Sequence, residues 1–130
     1  MSDDLAQRID QRLRAHDWDA LRHSLERHGR AVLPALLRPA ECHALAQAYD
    51  AAPGRYRQRI VMARHGFGQG EYQYFAYPLP PALALWRAAL YRRLAPLARE
   101  WAARLGQAAD FPQEHADYLL SLPSVVFYGQ

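Results

Sequence analysis

The residues best equipped for chemistry are six histidines (His16, His23, His28, His43, His65 and His115), a single cysteine and a run of arginines near the middle of the chain. His115-Ala116-Asp117 spells the H-x-D of a metal centre built from two histidines and one carboxylate. Such a centre needs its ligands on one face of the ion and leaves positions open for co-substrate and oxygen. The spelling works on a strand, where residues i and i+2 point the same way. Here it falls in a stretch that reads as a short helix from Pro112 to about Leu120, where i and i+2 diverge by about 200°. The second histidine should come well downstream, yet none of the thirteen residues after Asp117 is His. The pair therefore reads as a decoy on a surface helix, and no catalytic, cofactor-binding or metal-binding residue is assigned.

Cys42 lacks the partner a nucleophile needs. His43 follows it, but neighbours along a helix do not face each other, so Cys42 is expected to be a buried structural cysteine. One cysteine makes neither an internal disulfide nor a multi-cysteine zinc cluster. His16, His23 and His28 fall on polar helical faces and read as solvated. No Ser-centred nucleophile motif or EF-hand loop occurs. The loop His65-Gly66-Phe67-Gly68-Gln69-Gly70 has three glycines that permit positive φ. It lacks P-loop spacing and a following Lys-Ser/Thr, so it reads as a hairpin turn.

Arg55, Arg57, Arg59 and Arg64 lie within ten residues that contain no acid. Two readings stand: one solvated face of a strand, or a patch that meets phosphates. All 16 basic residues are Arg, and Lys, Asn and Thr are absent, a bias that points to GC-rich coding and lowers the weight of any single Arg. The net charge of +3 is mild but unevenly spread. Residues 1–50 carry 7 Arg against 8 acids, and residues 51–130 carry 9 against 5.

These groups must be positioned by a small set of elements. Leu5, Ile9 and Leu13 recur every four residues and predict a helix. Asp17 reads as the N-cap of a second helix, with Trp18, Leu21 and Leu25 on its apolar face and Gly29 as its C-cap. Ala31-Val32-Leu33 reads as a short strand. Pro39 suits the first turn of a third helix, with Cys42, Leu45, Ala46 and Tyr49 on one face. Residues 56–64 and 71–77 read as strands, the second rich in aromatics. Leu83, Trp86, Leu90, Leu94, Leu97, Trp101 and Leu105 mark a long amphipathic helix closed by Gly106, which Pro96 should kink. Residues 124–128 read as a last strand. The 130 residues, 51% hydrophobic and 12% aromatic, suit one globular α+β domain spanning 1–130. No apolar run reaches the ~18–20 residues that cross a bilayer. Residues 1–15 hold Asp3, Asp4 and Asp10 and no leader-like apolar stretch, so a cytoplasmic location without membrane attachment is expected.

Residues 29–49, with Arg38-Pro39-Ala40-Glu41-Cys42 opening a helix after a leucine-rich turn, resemble a segment of many Fe(II)/2-oxoglutarate-dependent oxygenases. Residues 60–80, from Ile60 through His65-Gly66-Phe67-Gly68-Gln69-Gly70 and Glu71-Tyr72-Gln73-Tyr74-Phe75-Ala76-Tyr77 to Pro80, are more specific. They resemble a bacterial branch of that superfamily predicted to demethylate damaged nucleic acid oxidatively. Leu90-Tyr91-x-Arg93-Leu94-Ala95-Pro96 and Phe111-Pro112-x-x-His115-Ala116 also fit, so the resemblance covers about residues 15–120. It implies the N-terminal portion of a double-stranded β-helix (jelly-roll) oxygenase with an incomplete barrel. For the complete enzyme it implies Fe(II) and 2-oxoglutarate as cofactors and hydroxylation of a C–H bond, with formaldehyde released where that carbon is an N-methyl group. The family's His-x-Asp, distal His and 2-oxoglutarate-binding Arg match no position here. The chain as it stands is therefore expected to bind neither cofactor and to be inactive.

In that picture Arg64, His65, Tyr72, Tyr74 and Tyr77 face the substrate side with Arg55, Arg57 and Arg59, aromatics stacking on a base. The alternative is a sheet surface packed on the long helix. The competing function is a non-catalytic α+β module that binds protein or nucleic acid through its basic aromatic hairpin. Too little sheet remains to cover the long helix, so an exposed apolar face, marginal stability and self-association are also expected.

Overall fold

A computed structural model describes residues 2–51, 53–108 and 110–121. It is α+β, with five α-helices and one two-stranded antiparallel sheet that is open rather than closed into a barrel among those residues. The chain divides into two compact units. One runs through Leu36 and resumes at Pro80; the other is Leu37–Leu79.

The first unit holds helices α1 (Ser2–Arg14), α2 (Trp18–His28), α4 (Pro81–Arg104) and α5 (His115–Ser121). Asp17 starts α2 as expected, its carboxylate accepting from the Ala20 N–H at 3.1 Å. Gly29 ends it with φ 72° and an N–H donated to the Leu25 carbonyl. This left-handed turn is one that glycine adopts without a Cβ penalty. Packing of α1 on α4 makes the core, in which Ile9, Leu13, Ala95, Leu97 and Ala102 are buried. Leu13, with no exposed surface, is its largest fully buried side chain. Around it, Asp10 reaches Arg93 at 3.6 Å, Arg22 pairs with Glu100, and the Trp18 indole N–H donates to the Leu13 carbonyl at 2.6 Å. Pro96 stands inside α4 without ending it. A second cluster ties α5 down: Tyr91 stacks on Tyr118 and donates its hydroxyl to the Pro112 carbonyl, while Arg92 pairs with Glu114 at 2.8 Å.

Two expectations in this unit need correction. Residues 31–33 form no strand, because a strand needs a hydrogen-bonded neighbour and the described sheet has only its own two members. Val32 is left 70% exposed. The final helix begins at His115 rather than Pro112. The strand expected at 124–128 lies outside the described residues.

The second unit holds α3 (Pro39–Ala48) and a hairpin of β1 (Tyr56–Val61) and β2 (Glu71–Phe75). Pro39 sits in the first turn of α3, and Glu41 accepts from the Arg38 N–H at 2.8 Å. The apolar face foreseen for α3 is not buried: Cys42, Leu45 and Ala46 are exposed and only Tyr49 is half-buried. Cys42 is thus a surface thiol and not a core residue. Periodicity gives a helix its apolar face, but a unit this small supplies too little packing surface to cover it.

The first strand is shorter than its composition suggests. Met62–His65 coils into a 3₁₀ turn instead of continuing to residue 64, and Gly66 closes that turn at φ 71°. Met62 donates to the Gly70 carbonyl at 2.9 Å, and Gly70 itself holds φ 115°. The second strand ends at Phe75, although Ala76 still donates to the Arg55 carbonyl at 2.7 Å.

Candidate functional site

The H-x-D pair falls on a helix and not on a strand. His115 and Asp117 both lie on α5, so their side chains leave the helix in different directions. His115 packs against the Tyr91 ring at 5.3 Å. Loss of solvent, then the Arg87 charge, lowers its pKa. Among the described residues no group of three or more His, Cys, Asp or Glu converges closely enough to hold a metal ion. The described residues therefore do not fit an iron centre.

The arginines and tyrosines singled out from the sequence converge on the hairpin. Its pairing sets Arg59 opposite Gln73, Ile60 opposite Tyr72 and Val61 opposite Glu71. Side chains alternate between faces along a strand, so Tyr72 and Tyr74 share one face while Glu71, Gln73 and Phe75 share the other. A bulge lies between Tyr56 and Gln58: Tyr56 pairs with Phe75 and Gln58 with Tyr74, leaving Arg57 as the extra residue. A bulge re-aims the side chain it inserts. The Arg57 guanidinium stands over the Tyr74 ring at 5.2 Å and over Tyr77 at 5.3 Å. Tyr72 meets Tyr74 edge-on at 5.6 Å. All three tyrosines stay open to solvent, at 42, 44 and 58% for Tyr72, Tyr74 and Tyr77. At the loop, His65 stacks on Phe67 at 6.0 Å, and Arg64 is exposed beside them. Arg55 is exposed at the other end of β1.

Arg59 has a different setting. It grips Glu71 with two hydrogen bonds, Nε to Oε2 at 2.6 Å and Nη2 to Oε1 at 2.8 Å. The Tyr49 hydroxyl donates to the same carboxylate at 2.8 Å, and Gln73 donates to the Tyr49 carbonyl at 2.9 Å. The Arg59 hydrogen bond, then that of Tyr49, holds the Glu71 carboxyl below its ordinary range. The same contact raises Arg59 above its ordinary value, and loss of solvent followed by the Glu71 hydrogen bond raises the Tyr49 phenol. The sequence run without an acid is therefore not acid-free in space, because β2 brings Glu71 across. Sequence reasoning missed Tyr49, Glu71 and Gln73 as a group. The available signal was Glu71 itself, the lone acid of the hairpin, placed at the start of the returning strand.

Exposed tyrosines beside arginines define a polar, π-rich surface suited to an anionic, stackable partner. Residues 70–124 match the model of a family described as an oxygenase catalysing oxidative methylation of damaged DNA. The match spans less than half of the chain, starting with β2 and running past α5. The chain thus bears a partial oxygenase-family likeness, over a segment that includes Tyr72, Tyr74 and Tyr77. No curated protein and no solved structure matches it. Among the described residues no helix is long and apolar enough to cross a membrane.

Proposed function

We propose that this chain is the nucleic-acid-facing portion of an oxygenase acting on damaged nucleic acid. The complete enzyme would use Fe(II) and 2-oxoglutarate for hydroxylation or oxidative demethylation, on a double-stranded β-helix scaffold. The observation that carries this reading is the family match over 70–124, which includes the strand presenting Tyr72 and Tyr74. The exposed tyrosines and Arg57 supply ring faces and positive charge, the two things a splayed strand of bases and phosphates requires. Base–aromatic stacking contributes ~1–3 kcal/mol per base.

The chain alone is expected to bind without catalysing, because the metal and co-substrate residues of the resembled family match no position in its sequence. Two assays test this on the full chain. Fluorescence anisotropy with a labelled methylated oligonucleotide should show salt-dependent binding that weakens at least tenfold in Tyr72→Ala/Tyr74→Ala. Succinate formation from 2-oxoglutarate with added Fe(II) should stay at the protein-free blank. No oligonucleotide binding at 50 mM salt sinks the proposal. Turnover abolished by His115→Ala would show that the H-x-D pair is a ligand set after all. A non-catalytic binding module is the second reading, favoured by the exposed tyrosines and the Arg57 guanidinium gathered on the hairpin. Joining the chain to a downstream oxygenase segment and recovering turnover would rule that module out.

A further inference from the structure

The Glu71–Gln73 face of the hairpin borders a depression of about 460 Å³, within the ~300–1,000 Å³ range of small-ligand sites. Its lining includes Tyr49, Asp50, Tyr56, Arg57, Arg59, Glu71 and Gln73. The Tyr49 and Tyr56 rings lie 6.1 Å apart with planes tilted by 49°, and the Tyr56 hydroxyl is fixed on the Ala48 carbonyl at 2.7 Å. Tyr56 also stacks on Phe75 at 5.0 Å, so the rings bordering the depression are held in place.

The polar groups beside those rings are positioned and only partly spent. Gln73 uses one amide N–H on the Tyr49 carbonyl and also hydrogen-bonds towards the Tyr49 phenol. A side-chain amide has a second N–H and a carbonyl oxygen to offer. Arg59 uses Nε and one Nη on Glu71, out of the five N–H groups of a guanidinium. An amide that both donates and accepts matches the N6–N7 edge of adenine, and a guanidinium matches the O6–N7 edge of guanine. Both are purine edges, and purines also offer the larger ring for stacking.

We propose that this depression is a binding site for a single purine base, stacked on tyrosine and hydrogen-bonded by Gln73 and Arg59. The inference rests on the nucleic-acid reading above, and it adds a site whose lining includes neither Tyr72 nor Tyr74. A free nucleoside and a base within a strand present the same edge, so the test uses both.

The experiment is an NMR titration of the full chain with adenosine, guanosine, cytidine and uridine, followed by purine and pyrimidine oligonucleotides. Adenosine and guanosine should shift the Tyr49 and Gln73 amide signals with at least fivefold tighter affinity than the pyrimidine nucleosides. That affinity should not change between 50 and 200 mM salt, because a nucleoside carries no phosphate. Gln73→Ala should weaken adenosine about fivefold or more. Gln73→Glu, which keeps the shape but replaces the amide donor, should do likewise. Tyr72→Ala should leave nucleoside binding intact. A purine oligonucleotide that displaces adenosine assigns the site to a base within a strand, and one that does not assigns it to the free nucleoside. Equal response to purines and pyrimidines, or none, overturns the inference, as do Gln73 variants that bind like the parent. In those cases oligonucleotide binding through the tyrosine face can persist. Purine nucleosides binding where no oligonucleotide does would instead defeat the proposed function and leave this site standing.

Discussion

Replacing Glu71 by Gln should strengthen nucleic-acid binding and steepen its salt dependence. In the parent chain Arg59 makes two hydrogen bonds to Glu71 at 2.6 and 2.8 Å, while Arg55, Arg57 and Arg64 present exposed guanidiniums that can each reach a phosphate. Each phosphate contact on a single strand contributes about −0.7 to the slope of log K against log salt, so three contacts give about −2. Freeing Arg59 adds a fourth and moves the slope to about −3. Between 50 and 200 mM salt the parent should lose affinity about 20-fold and the variant about 50-fold. The assay is fluorescence anisotropy with a labelled twelve-nucleotide single strand across that range. Identical slopes would refute the reasoning, and so would a parent slope already near −3, since either result means that Glu71 does not withhold Arg59. Acid should mimic the substitution. The folded Glu71 pKa is depressed, so its ion pair stabilises the hairpin above the ordinary glutamate range and is lost only as pH falls through the lower folded value.

Other perturbations probe the rest of the molecule. Leu13→Ala removes the largest fully buried side chain. It should cost ~2–5 kcal/mol of a total that is typically ~5–15, which urea denaturation would register as loss of most of the cooperative transition. The folded pKa of His115 is lowered by burial and by Arg87, so the unfolded chain takes up its proton first and stability should fall as pH drops below the ordinary histidine range. His115→Phe should flatten that decline in denaturation series between pH 7.5 and 5.5, and an unchanged decline would place its origin elsewhere. Leu105 at 70% and Leu120 at 84% exposure should drive concentration-dependent association in sedimentation velocity, with uptake of an apolar dye. A monomer at every concentration would argue against it.

Local chemistry made much of this chain legible in its sequence. Asp17 before Trp18 and Gly29 after His28 bound α2 because caps act within three or four residues of themselves. Pro39 opened α3, and the stripe from Leu83 to Trp101 marked the longest helix, since a 3.6-residue period is written along the chain. The tyrosine strand and the placing of His115 and Asp117 on a helix were readable for the same reason. What lay beyond reach depended on partners distant in sequence. Ala31–Leu33 has strand composition but no neighbour to bond, and Cys42 lies on an apolar stripe that nothing in its unit buries. The four arginines formed one acid-free run in the sequence. Antiparallel pairing then set Glu71 opposite Val61, diagonal to Arg59, and a single bulge turned Arg57 towards Tyr74 and Tyr77. Register decides which charges cancel and which stay exposed, and register is a property of two strands together, so neither strand's residues determine it alone.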